Sequence, residues 1–299
     1  MADTQPAEER KCQTCSKAES EKPSTTLRAC ARCKDTFYCS KDCQAKNWDA
    51  HKSNCKRPNY MLKFHLCPDE ISDPEVTRTL SVPATATFAA LHEALQISFG
   101  WANTHAYDFA WHDPDYEEPD FDIADYIRST MEPKKRDSPR QFVMRISEKE
   151  VPGMFMMKVD KMHEERLRKH PRTKEKVAEN TKLFQVLDDA EYTDKSMEYM
   201  YDFGDGWQHT ITIEGRAKPS DHIVCIDGSG HGVAEDVKRD GWAELKEAYR
   251  TQNPNREQKE KRRWFERQAS NADPRGLGSG REHEWSKDSV NQRLAARGL

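Results

Sequence analysis

Seven cysteines and one histidine fall within the 44 residues from Cys12 to Cys55, at spacings that suit metal coordination. The pattern is C-x2-C (Cys12, Cys15), C-x2-C (Cys30, Cys33), C-x3-C (Cys39, Cys43) and H-x3-C (His51, Cys55). Eight nitrogen and sulfur ligands make two tetrahedral sites with no open position, which is the chemistry of two structural zinc ions and not of catalysis. A disulfide knot is the competing use for so many cysteines, but nothing else in the chain looks secreted.

The run from Cys39 to Cys55 reads as a strand end passing into helix. There Cys39/Cys43 and His51/Cys55 are i,i+4 pairs, each offering two ligands from one face. Equivalent members of the pairs are twelve residues apart, ~18 Å at ~1.5 Å per helical residue, so the two pairs cannot grip one ion. Each needs a C-x2-C pair from upstream. We favour the interleaved arrangement, Cys12/Cys15 with Cys39/Cys43 and Cys30/Cys33 with His51/Cys55, over the sequential one, because it ties distant segments together.

The segment FYCSKDCQAKNWDAHKSNC resembles the MYND zinc finger in its aromatic-Tyr-Cys start, its Cys-Gln, its Asn-Trp-Asp and its His-Lys before the last cysteine. The resemblance covers about a seventh of the chain. It implies a cross-braced two-zinc module that binds short proline-containing peptides, with the family's Gln and Trp positions falling on Gln44 and Trp48. Those two are also i,i+4, so an amide beside an indole could form an exposed shelf for an extended peptide. Alternatively, Trp48 packs a finger too small to have a core.

Such a module needs a setting. The 299-residue chain suggests about two domains, and with 33% charged and 35% hydrophobic residues and a mean hydropathy of -1.03 it should bury a core along only part of its length. Cys67 and Cys225 are the only cysteines left over, which fits a reducing compartment. The start lacks an apolar signal region and no run of about 18 apolar residues occurs, so an intracellular protein, cytoplasmic or nuclear, with no membrane attachment is expected. Net charge is -4. From Lys11 to Arg57 there are eleven Lys/Arg and five Asp/Glu; seven thiolates and two zinc ions reduce that excess to about +3, too little to argue for nucleic-acid binding by counterion release.

Residues 1–11 read as a disordered lead and 12–55 as the finger. From Tyr60 the pattern has period two, with Leu62, Phe64 and Leu66 on one side, and a second alternating run follows at Val76, Leu80 and Val82. Phe88, Leu91, Leu95 and Phe99 then keep helical spacing after Thr87, and Gly100 can end the helix. Strands are expected at Ala106–Trp111 and Gln141–Ile146. Two charged insertions, near 113–140 and 161–180, read as solvated loops. Met197–Glu214 forms a hairpin in which a three-residue loop pairs Phe203 with Trp207, Tyr201 with His209 and Tyr199 with Ile211, placing His209 on the buried face. Helices follow over Val233–Arg250, Lys261–Gln268 and Ser289–Leu294, with Asn271–Arg281 as a linker.

A second resemblance covers most of residues 60–299. VPATATFAALHEALQISFGW, the following His105 and Asp108-Phe109, YDFGDGWQH, CIDGSG and KDSVNQRL resemble, in order and spacing, the Ri-plasmid open-reading-frame-three-like family, also described as transposon passenger proteins. It implies an α+β fold, a mostly antiparallel sheet with covering helices, and no settled activity. Two departures matter. Thr77-Arg78 stands where the family usually has Trp-Arg, and 231–237 lacks the family's usual cysteines and prolines while keeping Glu235 and Asp236. Polar residues inside the matching motifs are His105, Asp202, Asp205, His209, Asp227, Glu235 and Asp236. As a carboxylate-histidine cluster they could bind a divalent ion or act as acid and base; as turn formers, strand caps and core hydrogen-bonders they need no such role.

The sequence therefore favours an interaction protein whose finger docks a proline-containing peptide. Catalysis is the alternative, a metal-dependent or acid-base site in the second domain, although neither an Asn-His-Ser-like nor a Gly-Glu-Glu-Leu-like methyltransferase motif, a Walker loop nor a Gly-x-Ser-x-Gly elbow is present. A nucleic-acid partner is the third reading, and the charge balance opposes it.

Overall fold

The computed structural model describes residues 10–21, 24–118, 120, 122–123, 127, 132–149 and 168–299. They divide into two compact units, one of residues up to 59 together with 216–221, the other of 60–215 and 222–299. Of the expected disordered lead, residues 1–9 lie outside the described residues.

In the smaller unit the strands are only two residues long. β1 (Ser20–Glu21) pairs with β2 (Ser24–Thr25), and β3 (Arg28–Ala29) with β4 (Phe37–Tyr38), both antiparallel. Ser40 caps α1 (Lys41–His51) by accepting from the Cys43 N–H at 3.1 Å. This helix buries no side chain, and at eleven residues it is too short to stand in water by propensity alone. The buried cluster consists of Cys12, Cys30, Cys33 and Cys55 with only Leu27 and Tyr38 added. So small an apolar core cannot hold the unit, and its stability must come from the sulfurs.

The larger unit is a mixed α+β fold built on an eight-stranded sheet. Its strands are β5 (Asn59–Leu66), β6 (Thr77–Val82), β7 (Tyr107–His112), β8 (Phe142–Ser147), β9 (Lys174–Val177), β10 (Met197–Tyr201), β11 (Trp207–Ala217) and β12 (Val224–Ser229), in the order β12-β6-β5-β11-β10-β7-β8-β9. The pairings with a resolved register are antiparallel except β8 with β9. β5 alternates as its sequence predicts. β6 does not: all six residues are buried, Thr77, Thr79 and Ser81 as well as Arg78, Leu80 and Val82, as suits a strand interior to the sheet.

α2 (Phe88–Phe99) begins at Thr87, whose hydroxyl accepts from the Ala90 N–H at 3.1 Å, and ends at Gly100 with φ 77°, both as read from the sequence. Its stripe is not purely apolar. His92 Nδ1 and Gln96 Nε2 meet the Tyr199 hydroxyl of β10 at 2.8 and 3.0 Å, which fixes helix against sheet by satisfied polar contacts. A short turn of helix, α3 (Phe184–Leu187), precedes β10, and α4 (Lys238–Arg250) and α5 (Arg256–Arg267) pack on each other. α6 (Lys287–Ala296) returns to the sheet, where the Asn291 side chain brackets Cys225 of β12 by accepting from its N–H at 2.8 Å and donating to its C=O at 2.9 Å.

Three expectations need correction. The β10–β11 loop has five residues, not three, so Tyr201 pairs with Trp207, Tyr199 with His209 and Met197 with Ile211. The cause is Asp202, held at φ 55° with Oδ1 accepting from Gly204 and Asp205 N–H groups, which ends the strand early. Because the slip is two residues, His209 keeps its buried face. Asn271–Arg281 is not a linker: Leu277 is buried and a 3-10 helix runs over Gly278–His283. Of the charged insertion near 161–180, residues 161–167 lie outside the described residues, but 168–180 is built into the fold, with β9 on the sheet edge and Thr173 donating to Phe142 C=O at 2.6 Å.

Candidate functional site

Each half of the finger starts with a turn that aims two sulfurs inward. In the first, Cys12 C=O accepts from Ser16 N–H at 2.8 Å; in the second, Cys30 C=O accepts from Lys34 N–H at 2.9 Å. Ser16 and Lys34, each directly after the second cysteine of its pair, take positive φ of 56° and 63° to close the turn. Thr14 then ties the first turn to α1 by donating to Cys43 C=O at 2.6 Å.

The ligands gather as two quartets, Cys12/Cys15/Cys39/Cys43 and Cys30/Cys33/His51/Cys55, each within 4.8 Å. This is the interleaved arrangement. One premise of its derivation was wrong: α1 contains Cys43 and His51, whereas Cys39 precedes it and Cys55 follows it. The sulfur separations are 3.5 Å (Cys15–Cys39), 3.6 Å (Cys39–Cys43) and 3.7 Å (Cys30–Cys55), and Cys33 Sγ lies 3.6 Å from His51 Nε2. A tetrahedron with Zn–S bonds of ~2.3 Å has edges of about 3.7 Å. The residues therefore fit two zinc ions. Charge makes the same point: burial opposes it, but backbone N–H groups of Cys39, Cys15 and Thr14 draw the Cys12 thiol down to about 6, while its sulfur neighbours Cys15 and Cys43 push Cys39 up to about 12. Four thiolates at this spacing need a cation.

Gln44 and Trp48 lie on α1. Trp48 is 39% exposed, its ring meeting His51 edge-on at 6.0 Å, and no described residue hydrogen-bonds the Gln44 amide. Trp48 thus touches the finger without being buried in it.

In the larger unit five of the seven motif residues converge. His105 stands two residues before β7, Asp202 and Asp205 in the β10–β11 loop, and Glu235 and Asp236 in the loop before α4. His105 Nδ1 lies 3.3 Å from Asp202 Oδ2, and its Nε2 3.3 Å from Asp236 Oδ1. Glu235 is wholly buried, with Oε1 accepting from the Tyr201 hydroxyl at 2.9 Å and Ala102 N–H at 3.0 Å. Burial pushes its carboxyl up, and burial with the neighbouring Asp202 and Asp236 charges pushes Asp205 up, against the Lys238 N–H. Asp202 fills both of its sequence roles, one oxygen shaping the turn and the other facing His105.

Two residues stay apart. His209 is fully buried with Nδ1 at 3.0 and 3.2 Å from the Trp207 and Tyr199 carbonyls, edge-on to Phe99 and Trp101, and burial pushes it down to about 3, so it is a neutral core group. Asp227 is exposed on β12 and joins no cluster.

Sequence reasoning missed two further groups. On the sheet face opposite α2, Asp108 is fully buried between Arg145 (Nε–Oδ2 2.7 Å) and Arg168 (Nη2–Oδ1 2.8 Å), and Arg168 also holds Glu198 at 2.6 Å. Burial opposes ionisation there, yet His112 at 2.8 Å and Arg168 draw Glu198 down to about 2. The signal was available in Asp108 and Glu198, charges centred in apolar strands. Second, Arg78 lines a cavity of about 840 Å³ with Trp285, Arg281 and Arg293. Its guanidinium donates to the Ser98, Thr77, Ser229 and Gly230 carbonyls between the rings of Phe99 and Trp285, so Trp285 supplies an aromatic wall although Thr77 brings none.

Comparison with known proteins agrees with this division. A MYND finger model matches residues 11–55, and a plasmid pRiA4b ORF-3-like protein model matches 60–276. An uncharacterized protein, y4hQ, of Sinorhizobium fredii is 28% identical over 167 residues, 55% of this chain and 60% of its own. A SET and MYND domain-containing protein of Dictyostelium discoideum is 55% identical over 31 residues, 10% of this chain and 6% of its own, and human Tudor domain-containing protein 1 is 35% identical over 60 residues, 19% and 5%. The chain thus spans less than two thirds of each of these relatives. A solved protein of unknown function from Methanosarcina mazei covers 78% of this chain and 96% of its own at 19% identity and a TM-score of 0.49. No helix among the described residues is long and apolar enough to cross a membrane. With its zinc-binding finger, a protein-interaction module, placed before a domain matched over 60–276, the chain belongs to the plasmid pRiA4b ORF-3-like family.

Proposed function

We propose that the protein is an adaptor whose finger docks a short, extended, proline-containing peptide across Gln44 and Trp48. The observation that carries this reading is the exposure of Trp48, 39%, on a helix that buries nothing. An indole left in water on a metal-fixed helix is a rigid apolar surface on which a proline ring can stack, and the Gln44 amide one turn away offers a donor and an acceptor to the peptide backbone. Metal fixation keeps the ordering cost of the docking face low.

Fluorescence anisotropy with labelled proline-containing peptides tests this on the full zinc-loaded chain. Trp48→Ala and Gln44→Ala should each weaken binding about tenfold or more, ~1.4 kcal/mol, with two zinc ions retained. Unaltered binding by Trp48→Ala would refute the docking site and leave the zinc assignment intact.

A further inference from the structure

We propose that His105, Asp202 and Asp236 form a third metal centre that takes one divalent transition ion of the Mn2+ class, with Glu235 as the buried carboxylate beside it. One ligand atom from each of the three lies within 4.8 Å of the others. An ion bonded at ~2.1–2.2 Å holds adjacent ligands about 3.0 Å apart and opposite ones about 4.3 Å apart. His105 meets the two carboxylates through different nitrogens, Asp202 at Nδ1 and Asp236 at Nε2, each at 3.3 Å, so an ion on one nitrogen takes the carboxylate beside it as an adjacent ligand and draws the other in from across the cluster.

The hydrogen bonding around the cluster points to a missing partner. Both His105 nitrogens are shielded from solvent, and neither makes a well-formed hydrogen bond despite the carboxylates at 3.3 Å. Glu235 is wholly buried, yet its Oε2 has no partner while Oε1 has two. Buried polar atoms without partners are uncommon and need an occupant. Among the described residues no Lys or Arg side chain pairs with Asp202 or Asp236, the two carboxylates that face His105.

Donor chemistry narrows the ion. One imidazole with carboxylates and no sulfur suits a mixed nitrogen-oxygen binder and not the soft-ligand ions that the finger selects. Asp236 is 42% exposed, so one side of the ion would be open to water or to an oxygen-donor ligand. This centre is independent of the peptide-docking proposal.

The test is Mn2+ titration of the full chain with its finger already zinc-loaded, read by electron paramagnetic resonance and native mass spectrometry. One Mn2+ per chain beyond the two zinc ions is expected, with nitrogen modulation in pulsed spectra from His105. Asp236→Asn should bind Mn2+ at least about tenfold more weakly. Asparagine tolerates the φ of 67° at that position, so metal-free unfolding should be unaltered. His105→Gln should abolish the nitrogen modulation. Failure to bind Mn2+ at millimolar concentration overturns the proposal. Binding without nitrogen modulation also overturns it, and assigns the ion to exposed carboxylates such as Asp115, Glu117 and Glu118; that readout on the wild type needs no variant to fold.

Discussion

Asp108→Asn should be among the most damaging single substitutions in the larger unit. Asp108 is fully buried and takes Arg145 Nε at 2.7 Å on one side and Arg168 Nε and Nη2 at 2.9 and 2.8 Å on the other. Removing its charge leaves the wholly buried Arg145 side chain with Glu175 alone, at 3.2 Å, and Arg168 with Glu198. Breaking a buried ion pair from one side costs about 3–5 kcal/mol, because the stranded charge has lost its water as well as its partner. At about 2–4 °C per kcal/mol for a domain of roughly 150–250 residues, the melting temperature should fall by ~6–20 °C. Tryptophan emission is the natural assay, since every tryptophan but Trp48 belongs to the larger unit. The acid limb should change with it. Asp108 and Glu198 are both held below their unfolded values, so their contribution is complete above about pH 4.5 and lost as pH falls towards 2. Asp108→Asn should flatten that loss. A destabilisation under about 1 kcal/mol, or an unaltered acid limb, would show that the guanidiniums find water or other partners and that the network is not the strut described.

Chelation should unfold the finger and spare the rest: hydrogen exchange over 41–51 should rise to unprotected rates while tryptophan emission from the larger unit stays constant, and protection that survived verified zinc loss would refute the claim that metal alone fixes α1. Gly232→Ala should destabilise severely, by about 3 kcal/mol or more in urea unfolding, because a Cβ there would stand 1.8 Å from the Phe99 carbonyl oxygen, a backbone atom at the end of α2 that cannot step aside; wild-type stability would disprove that close approach. Thr87→Ala should cost about 1 kcal/mol through loss of the α2 cap, read in the same unfolding curves, and no change would mean that water replaces the hydroxyl.

Metal ligands were legible because coordination is a local contract between residue type and spacing. Helix α2 was legible for the same reason, with Thr87, an apolar stripe and Gly100 all pointing one way. The β10–β11 loop was not, since whether a Gly-Asp-Gly run closes a three- or five-residue loop depends on Asp202 entering the left-handed region, a choice set by hydrogen bonds to Gly204 and Asp205 and not by propensity. Arg168 shows the limit most clearly. It sits in a stretch whose mixed charges read as solvated, and only the sheet's register, which sets Asp108 and Glu198 on one face across β7 and β10, turns one of those charges into a buried partner. Charge runs give no hint of which member will be desolvated, because that is decided by strand residues 60 and 30 positions away.

The two faces of the sheet divide the work by chemistry. Against α2, Tyr199 meets His92 and Gln96 through neutral hydrogen bonds, and burial pushes His92 down to about 4, so the surroundings of Tyr199 carry no charge from these partners at neutral pH. Opposite, Glu198 of the same strand is ionised and clamped by Arg168 and His112. Strand β10 therefore sets Tyr199 among neutral partners on one face and Glu198 among ionic ones on the other, and slipping its register by one would bury Glu198 among aromatic rings and expose Tyr199 to two guanidiniums. A one-residue slip is thus penalised on both faces at once. That double penalty fixes the level at which β10 hands over to the 202–206 loop, and with it the position of Asp202 opposite His105.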